Sequence, residues 1–235
     1  MTTRKRISVI ALFALVAGGV IAPSADAAAT RYITVSAQGA IKVVPDAVRI
    51  NATATTVAAS SKEALAATAK TATAVRAALK TAKIDSKDIA TQSVTVYPEY
   101  KYTADGGSTL TGYRGSQSFT ITVRAAGTAG ALVDSLVAAG GDNLQINGAT
   151  PFVLDSTKSL EAARAAAVKS AKAKASSYAK LMGAKLGKVN YLVEHSAPTN
   201  YTPVMAVAKA ESDATVIDLG QQDVTISVTV QWSLL

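Results

Sequence analysis

The sequence predicts an α+β fold with a mainly antiparallel sheet. Near both ends of the chain, apolar and polar residues alternate, which predicts half-buried strands. Between them lie long segments whose apolar residues recur at helical spacing. Asp105-Gly106-Gly107 supplies turn chemistry between two further alternating segments and so predicts a long hairpin. Hairpins mixed with helices are typical of an antiparallel sheet that is covered by helices on one face.

The first two strands follow from this period-two alternation. Tyr32–Ala37 alternates briefly, and a turn is predicted at Gln38-Gly39. From Val48 to Thr55 every second residue is apolar, which predicts one buried face and one polar face. Pro45-Asp46 stands just before this strand, where a missing backbone N–H costs least.

The first predicted helix spans Ser60–Ala82. Ser60 and Glu63 match a capping box, in which each side chain accepts a hydrogen bond from the backbone N–H of the other residue. The two hairpin strands follow over Val94–Tyr102 and Ser116–Arg124. The second of these strands is expected to turn its aromatic and branched side chains toward the core.

A short helix is predicted over Thr128–Ala139, because Gly140-Gly141 follows where a left-handed cap is favoured. Leu144–Leu154 is the next predicted strand. The chain therefore contains two strand-helix-strand units, Val48–Tyr102 and Ser116–Leu154.

The longest predicted helix spans Asp155–Met182. Spacing of about 100° per residue collects one mainly alanine side: Leu160, Ala163, Ala167, Ala171, Tyr178 and Met182. The opposite side carries Lys158, Lys169, Lys172 and Lys180. This lysine face is interpreted as solvated surface, with contact to a polyanion as the alternative.

After this helix, Lys188–Glu194 is predicted to be a strand and Ser196–Asp213 a mobile loop. The last strand has the cleanest alternation in the chain. Its apolar positions, which are expected to be buried, are Val224, Ile226, Val228, Val230, Trp232 and Leu234.

Residues 1–27 are predicted to be a signal peptide. Arg4, Lys5 and Arg6 precede an apolar run over Ile7–Ile21, and Ala25-Asp26-Ala27 supplies the small residues that a signal peptidase recognises. The run is shorter than the roughly 20 residues that a membrane-spanning helix needs. We therefore expect an exported mature domain over residues 28–235, in a periplasm or secreted, with no transmembrane segment after cleavage.

The composition excludes several classes of chemistry. The chain has no cysteine, so disulfides, thiolate catalysis and thiolate metal sites are excluded. Cleavage would remove three cations and one carboxylate, which lowers the net charge from +8 to +6. No basic cluster is dense enough to predict nucleic-acid binding, although an anionic envelope surface remains a candidate partner.

No catalytic, cofactor or metal residue is predicted. His195 is the only histidine, and no Gly-x-Ser-x-Gly segment accompanies it. The carboxylates near predicted strand ends and loops are interpreted as turn and cap residues; they are Asp46, Glu99, Asp105, Asp142 and Asp155. A hydrolase that uses His195 or a carboxylate pair is the least favoured hypothesis.

Tyrosines concentrate on the predicted hairpin: Tyr97, Tyr100, Tyr102 and Tyr113. A flat apolar ring with a polar tip suits a protein interface or a sugar-stacking surface. Packing between the two strands of the hairpin is the main alternative to an interface.

The segment Ile33–Gly39, followed by Val44-Pro45-Asp46-Ala47, resembles the opening of SIMPL-domain proteins, a bacterial envelope family catalogued as a domain of unknown function. Three later features are similar to the same family: Leu110–Arg114 leading into Ser118–Arg124, the helix Glu161–Gly183 with Gly187-Lys188-Val189 after it, and the alternating C-terminal strand. Ala37 stands where the family commonly has glycine.

The resemblance implies an exported α+β protein without established catalytic residues. The family includes a periplasmic immunogenic protein that assembles into a ring-like homo-oligomer, and some members are associated with oxidative-stress defence. We therefore expect a non-enzymatic, self-assembling envelope protein with a structural or stress-protective role. The alternative is a binding module for anionic or carbohydrate envelope components.

Overall fold

Seven strands and three helices form the part of the chain that this computed structural model describes, residues 31–102, 104–195 and 214–235. In chain order they are β1 (Tyr32–Val43), β2 (Ala47–Ala58), α1 (Ser61–Thr81), β3 (Ile89–Tyr102), β4 (Ser108–Val123), α2 (Ala129–Gly140), β5 (Leu144–Phe152), α3 (Thr157–Leu181), β6 (Leu186–His195) and β7 (Gln222–Leu234). The predicted α+β class is confirmed. The predicted signal peptide and the predicted loop over residues 196–213 lie outside the described residues.

The strands form two antiparallel sheets. A three-stranded sheet has the order β1-β7-β6, and a four-stranded sheet has the order β3-β4-β2-β5. The first strand pairs with the last one along its whole length, from Tyr32 opposite Ser233 to Val43 opposite Gln222. Both strand-helix-strand units belong to the four-stranded sheet. Alternation predicted most of these strands, but it carries no information about which strand pairs with which.

One face of the four-stranded sheet is covered by α1 and α2. The expected core positions on β4, Phe119, Ile121 and Val123, are buried there against Leu79 of α1 and Leu136 of α2. The opposite, open face carries hydroxyl and amide side chains that bond across the strands. An antiparallel sheet with one packed and one polar face accounts for the clean alternation in β2 and β4.

The predicted capping box at the start of α1 is confirmed. Ser60 Oγ accepts a hydrogen bond from Glu63 N at 3.2 Å, and Glu63 Oε2 accepts one from Ser60 N at 3.2 Å. These two bonds satisfy backbone N–H groups that have no partner inside the helix. The helix therefore begins where the sequence predicted.

The predicted turn at Gln38-Gly39 is wrong, because β1 continues through both residues to Val43. Gly39 is buried on the side of the three-stranded sheet that faces α3. A Cβ atom on Gly39 would overlap the carbonyl oxygen of Ala163 and lie 2.8 Å from the carbonyl carbon of Ala166. Glycine is used here to let a helix backbone approach the strand, and the sequence alone does not distinguish this use from a turn.

The buried stripe of α3 consists of alanines four residues apart: Ala163, Ala167, Ala171, Ala175 and Ala179. It packs on Val35, Trp232 and the other inward residues of β1 and β7. Tyr178 and Met182, predicted for this side, are instead exposed. A row of residues spaced by four runs obliquely to the helix axis. The buried face follows this row, whereas the prediction assumed a face parallel to the axis.

Candidate interaction surfaces

The tip of the β3–β4 hairpin extends beyond the rest of its sheet. β2 ends at Ala58, opposite Tyr113, so the hairpin continues past that point as two strands. Tyr102 pairs with Ser108 near the turn. The predicted hairpin is confirmed, and it is longer than predicted because polar residues extend both strands.

The four hairpin tyrosines do not form one patch. Tyr97 pairs with Arg114, so both lie on the open face of the sheet, whereas Tyr113 pairs with Pro98 and lies on the other face. Between Glu99 and Tyr100 the strand register shifts, so that no residue of β3 stands directly opposite Thr111. Tyr97, Tyr100 and Tyr102 are 46–78% exposed, and Tyr113 is half-buried.

Arg114 and Glu99 form an ion pair beside Tyr97. The hydrogen bond from Arg114 to Glu99 raises the pKa of the guanidinium above its usual value, so Arg114 stays charged at any relevant pH. The second carboxylate oxygen of Glu99 is buried and has no hydrogen-bond partner among the described residues. A buried acceptor without a partner is unfavourable.

Next to Arg114 lies a polar cavity of about 320 Å³. Its lining includes Thr55, Arg114, Asp142, Asn143 and Gln145. Amide, hydroxyl and carboxylate groups in one concave site provide both donors and acceptors, which suits a neutral polyhydroxylated molecule. Local sequence patterns do not reveal this site, because its residues come from β2, β4, the short 3₁₀ turn before β5 and β5 itself.

The predicted lysine face of α3 is exposed at each of its four positions: Lys158, Lys169, Lys172 and Lys180. None of the four forms a salt bridge within the described part of the chain. The ion pair on this helix is between Arg164 and Glu194 of β6, at 2.9 Å. The structure therefore presents four cations along one helix surface.

A second exposed apolar surface lies on β6, an edge strand of the three-stranded sheet. Val189, Tyr191, Leu192 and Val193 are 42–55% exposed. The sequence predicted this strand but not its exposure. The consecutive apolar residues Tyr191-Leu192-Val193 place apolar groups on both faces of one strand. This pattern is the sequence signal from which the exposed surface could have been predicted.

The candidate hydrolase residues are dispersed. His195 ends β6, where its Nε2 lies 3.1 Å from Thr229 Oγ1. Asp46 accepts a hydrogen bond from the backbone N–H of Leu154 at 2.8 Å. Asp155 accepts one from Thr157 N at 2.9 Å, and hydrogen bonds from Thr157 lower the pKa of its carboxyl group. Asp155 thus has the local turn role that the sequence predicted, whereas Asp46 joins the start of β2 to a residue 108 positions later in the chain.

Glu99 is paired with Arg114, Asp142 lines the polar cavity, and Asp105 lies in the hairpin turn. Within residues 31–102, 104–195 and 214–235, no three His, Asp or Glu side chains are grouped so that they could hold a metal ion. In the same ranges, no helix has the length and apolar character that crossing a membrane requires.

Comparison with known proteins gives a family match and two kinds of relative. The SIMPL family, described as a protein of unknown function (DUF541), matches residues 33–232. The 26 kDa periplasmic immunogenic protein of Brucella melitensis biotype 1 is 29% identical over 215 residues, which cover 86% of this chain and 84% of that protein. The uncharacterized protein YggE of Edwardsiella ictaluri is 30% identical over 231 residues, 92% of each chain.

Proposed function

The chain belongs to the SIMPL family, and from this premise we propose that it is an exported, non-enzymatic protein of the cell envelope that assembles into a homo-oligomer. The periplasmic name of the Brucella relative supports the location, as does the signal peptide predicted over residues 1–27. The role that fits such an assembly is structural or stress-protective. A chain without cysteine has no thiol with which to scavenge oxidants, so any protective effect would be indirect.

The exposed edge strand β6 is the observation that carries the proposal of self-assembly. An edge strand offers a row of unpaired backbone N–H and C=O groups, and soluble proteins usually protect such edges with charges, proline or a covering element. On β6 the side chains around this edge include four exposed large apolar residues. A second copy of the chain that pairs with β6 would bury both the backbone edge and these side chains.

The edge strand β3 supplies a second surface of the same kind. It carries Val94, Tyr97 and Tyr102, all about half-exposed or more. β3 and β6 belong to different sheets, so a contact between β3 of one copy and β6 of the next would join unlike surfaces. Repeated contacts of that type close into a ring when the rotation between neighbours permits closure.

The test is the mass in solution of the protein purified after export, measured by light scattering behind size exclusion. We expect a discrete assembly at micromolar concentration. Val193→Lys, which places a charge on the β6 edge, and the double change Tyr97→Ser with Tyr102→Ser should each reduce it to smaller species. Val137→Ser is the matched control, because Val137 is exposed on α2, which packs on β5 at the edge of the four-stranded sheet opposite to β3. A monomeric wild type would refute the proposal.

A second candidate function is binding of a carbohydrate or anionic envelope component. The polar cavity beside Arg114 supports the carbohydrate version, and the exposed lysine face of α3 supports the anionic one. A pull-down with cell-wall material separates them. Retention that is lost when Lys169, Lys172 and Lys180 become Glu would assign the lysine face, whereas loss with Gln145→Ala alone would assign the cavity. Retention unchanged by both sets would exclude the two surfaces.

A further inference from the structure

An apolar groove with charged groups at its rim lies between α1 and the beginning of β3. The chain leaves α1 at Thr81 and returns through a short 3₁₀ turn, Ser86–Asp88, to start β3 at Ile89. The groove that results has a volume of about 460 Å³. That is the volume of about fifteen water molecules in the liquid, which is enough for a single-chain organic ligand.

Two isoleucines form the apolar part of the groove. Ile84 and Ile89 are each half-buried, and both pack against the main core of the four-stranded sheet. Both line the groove, and β3, which begins with Ile89, is the edge strand of its sheet. An open floor of aliphatic carbon on a rigid support favours an aliphatic ligand.

Two cations border this floor. Arg76 and Lys80 are four residues apart on α1, and both line the groove. Arg76 is held in place, since its Nη2 donates to Thr91 Oγ1 at 3.1 Å and its guanidinium carbon lies 5.1 Å from the centroid of the Phe119 ring. Among the described residues, neither Arg76 nor Lys80 forms a salt bridge.

The carboxylate that lines the same groove is already engaged. Asp85 forms an ion pair with Lys87 at 3.1 Å. The rim next to the isoleucines therefore presents two cations to a ligand, one of them fixed in orientation. A planar guanidinium matches a carboxylate in geometry, and an ammonium one turn along the helix adds a second point charge.

We propose that this groove binds a single-chain anionic amphiphile, a fatty carboxylate, with the carboxylate between Arg76 and Lys80 and the aliphatic chain along Ile84 and Ile89. Charge complementarity selects the carboxylate end, and the apolar floor selects the chain. The groove lies at the Ile89 end of β3, whereas Tyr97 and Tyr102 of the proposed assembly surface lie farther along the same strand.

The test is titration of decanoate, below its micelle concentration, into the isotopically labelled protein purified after export, followed by NMR and calorimetry. We expect saturable binding with shift changes concentrated at the end of α1 and the start of β3. In the series hexanoate, octanoate, decanoate, each added methylene group that is buried should tighten binding about threefold to fourfold. Decanol and decylamine should bind at least tenfold more weakly than decanoate.

Variants test whether decanoate binds in this groove. Lys80→Gln and Arg76→Gln should each weaken decanoate binding about tenfold, and Arg76→Lys should weaken it less because the charge remains. Lys80 is exposed, so its removal is not expected to disturb folding even if loss of Arg76 does. Lys70→Gln is the matched control, an exposed lysine on the same helix outside the groove. No saturable binding, equal binding of decylamine, or binding that Lys80→Gln leaves unchanged would overturn the proposal.

Discussion

Gly39 of β1 lies so close to Ala163 of α3 that a Cβ atom on Gly39 would overlap the Ala163 carbonyl oxygen. The alanine stripe of α3 makes this approach possible from the other side, because each of its side chains is a single methyl group. The small residues on the strand and on the helix therefore serve the same close contact. It brings the backbone of a 25-residue helix close to a sheet of three strands.

We expect Gly39→Ala to destabilise the protein by about 2 kcal/mol, because the added methyl group meets helix backbone rather than a movable side chain. Chemical denaturation measures this loss. Gly127→Ala is the matched control, since a Cβ atom there has no neighbour within 4 Å and Gly127 has an ordinary backbone conformation. Equal stability of the two variants would show that α3 shifts away at little cost.

Two helices end in the same hydrogen-bonded motif with different residues at the left-handed position. After α1, Ile84 N donates a hydrogen bond to Leu79 O at 3.0 Å, and Lys83 has a φ of +59°. After α3, Ala184 N donates one to Ala179 O at 2.9 Å, and Gly183 has a φ of +68°. We expect Lys83→Gly to stabilise the protein, and Gly183→Ala to destabilise it, by about 1 kcal/mol each. Thermal and denaturant unfolding measure both. Loss of stability in Lys83→Gly would contradict this explanation.

Each sheet has its own buried core, so we expect the two cores to respond separately to mutation. Trp232, the only tryptophan, lies in the core of the three-stranded sheet, and its fluorescence reports that core. Leu79→Ala should cost about 2–5 kcal/mol in the other core. It should nevertheless move the unfolding midpoint measured by fluorescence less than Val228→Ala, a change in the same core as Trp232. Equal shifts would indicate that both cores unfold as one cooperative unit.

Asp88 makes stability depend on pH in the acid range. Arg124 donates two hydrogen bonds to its carboxylate, at 2.7 and 2.8 Å, and these bonds lower the pKa of Asp88 below its usual value of 3.8. A carboxyl pKa that is lower in the folded state contributes stability above the unfolded pKa, and this contribution is lost as the pH falls through the folded pKa. Asp88→Asn should therefore lower the melting temperature at pH 7, and the difference should shrink below about pH 3.

Asp85→Asn is the control for this experiment, because Asp85 is exposed and pairs with Lys87 on the same short segment. It should change the melting temperature less than Asp88→Asn at pH 7. If the melting temperature of Asp88→Asn is lowered by the same amount at pH 2 as at pH 7, packing, and not the charge of the carboxylate, is responsible.

Sequence patterns located most helices and strands because those patterns are local. The Ser60–Glu63 capping box needs only four neighbouring residues, and the alternation through Val224–Trp232 needs only one buried face. The same patterns wrongly predicted a turn at Gly39, whose small size serves a contact with residues more than a hundred positions away. They also assigned Tyr178 to the buried side of α3, because the tilt of a packed row depends on the partner sheet.

By itself, the sequence determined the α+β class, the Ser60–Glu63 cap of α1, the buried faces of β4 and β7, and the family resemblance, since each depends on the order of residues within one segment. Only the tertiary structure decided that the strands divide into two sheets and that β6 is an exposed edge. It also decided that Arg76 and Lys80 border an apolar groove. These features depend on which distant segments meet, and that choice is made by packing between elements and not by periodicity within them.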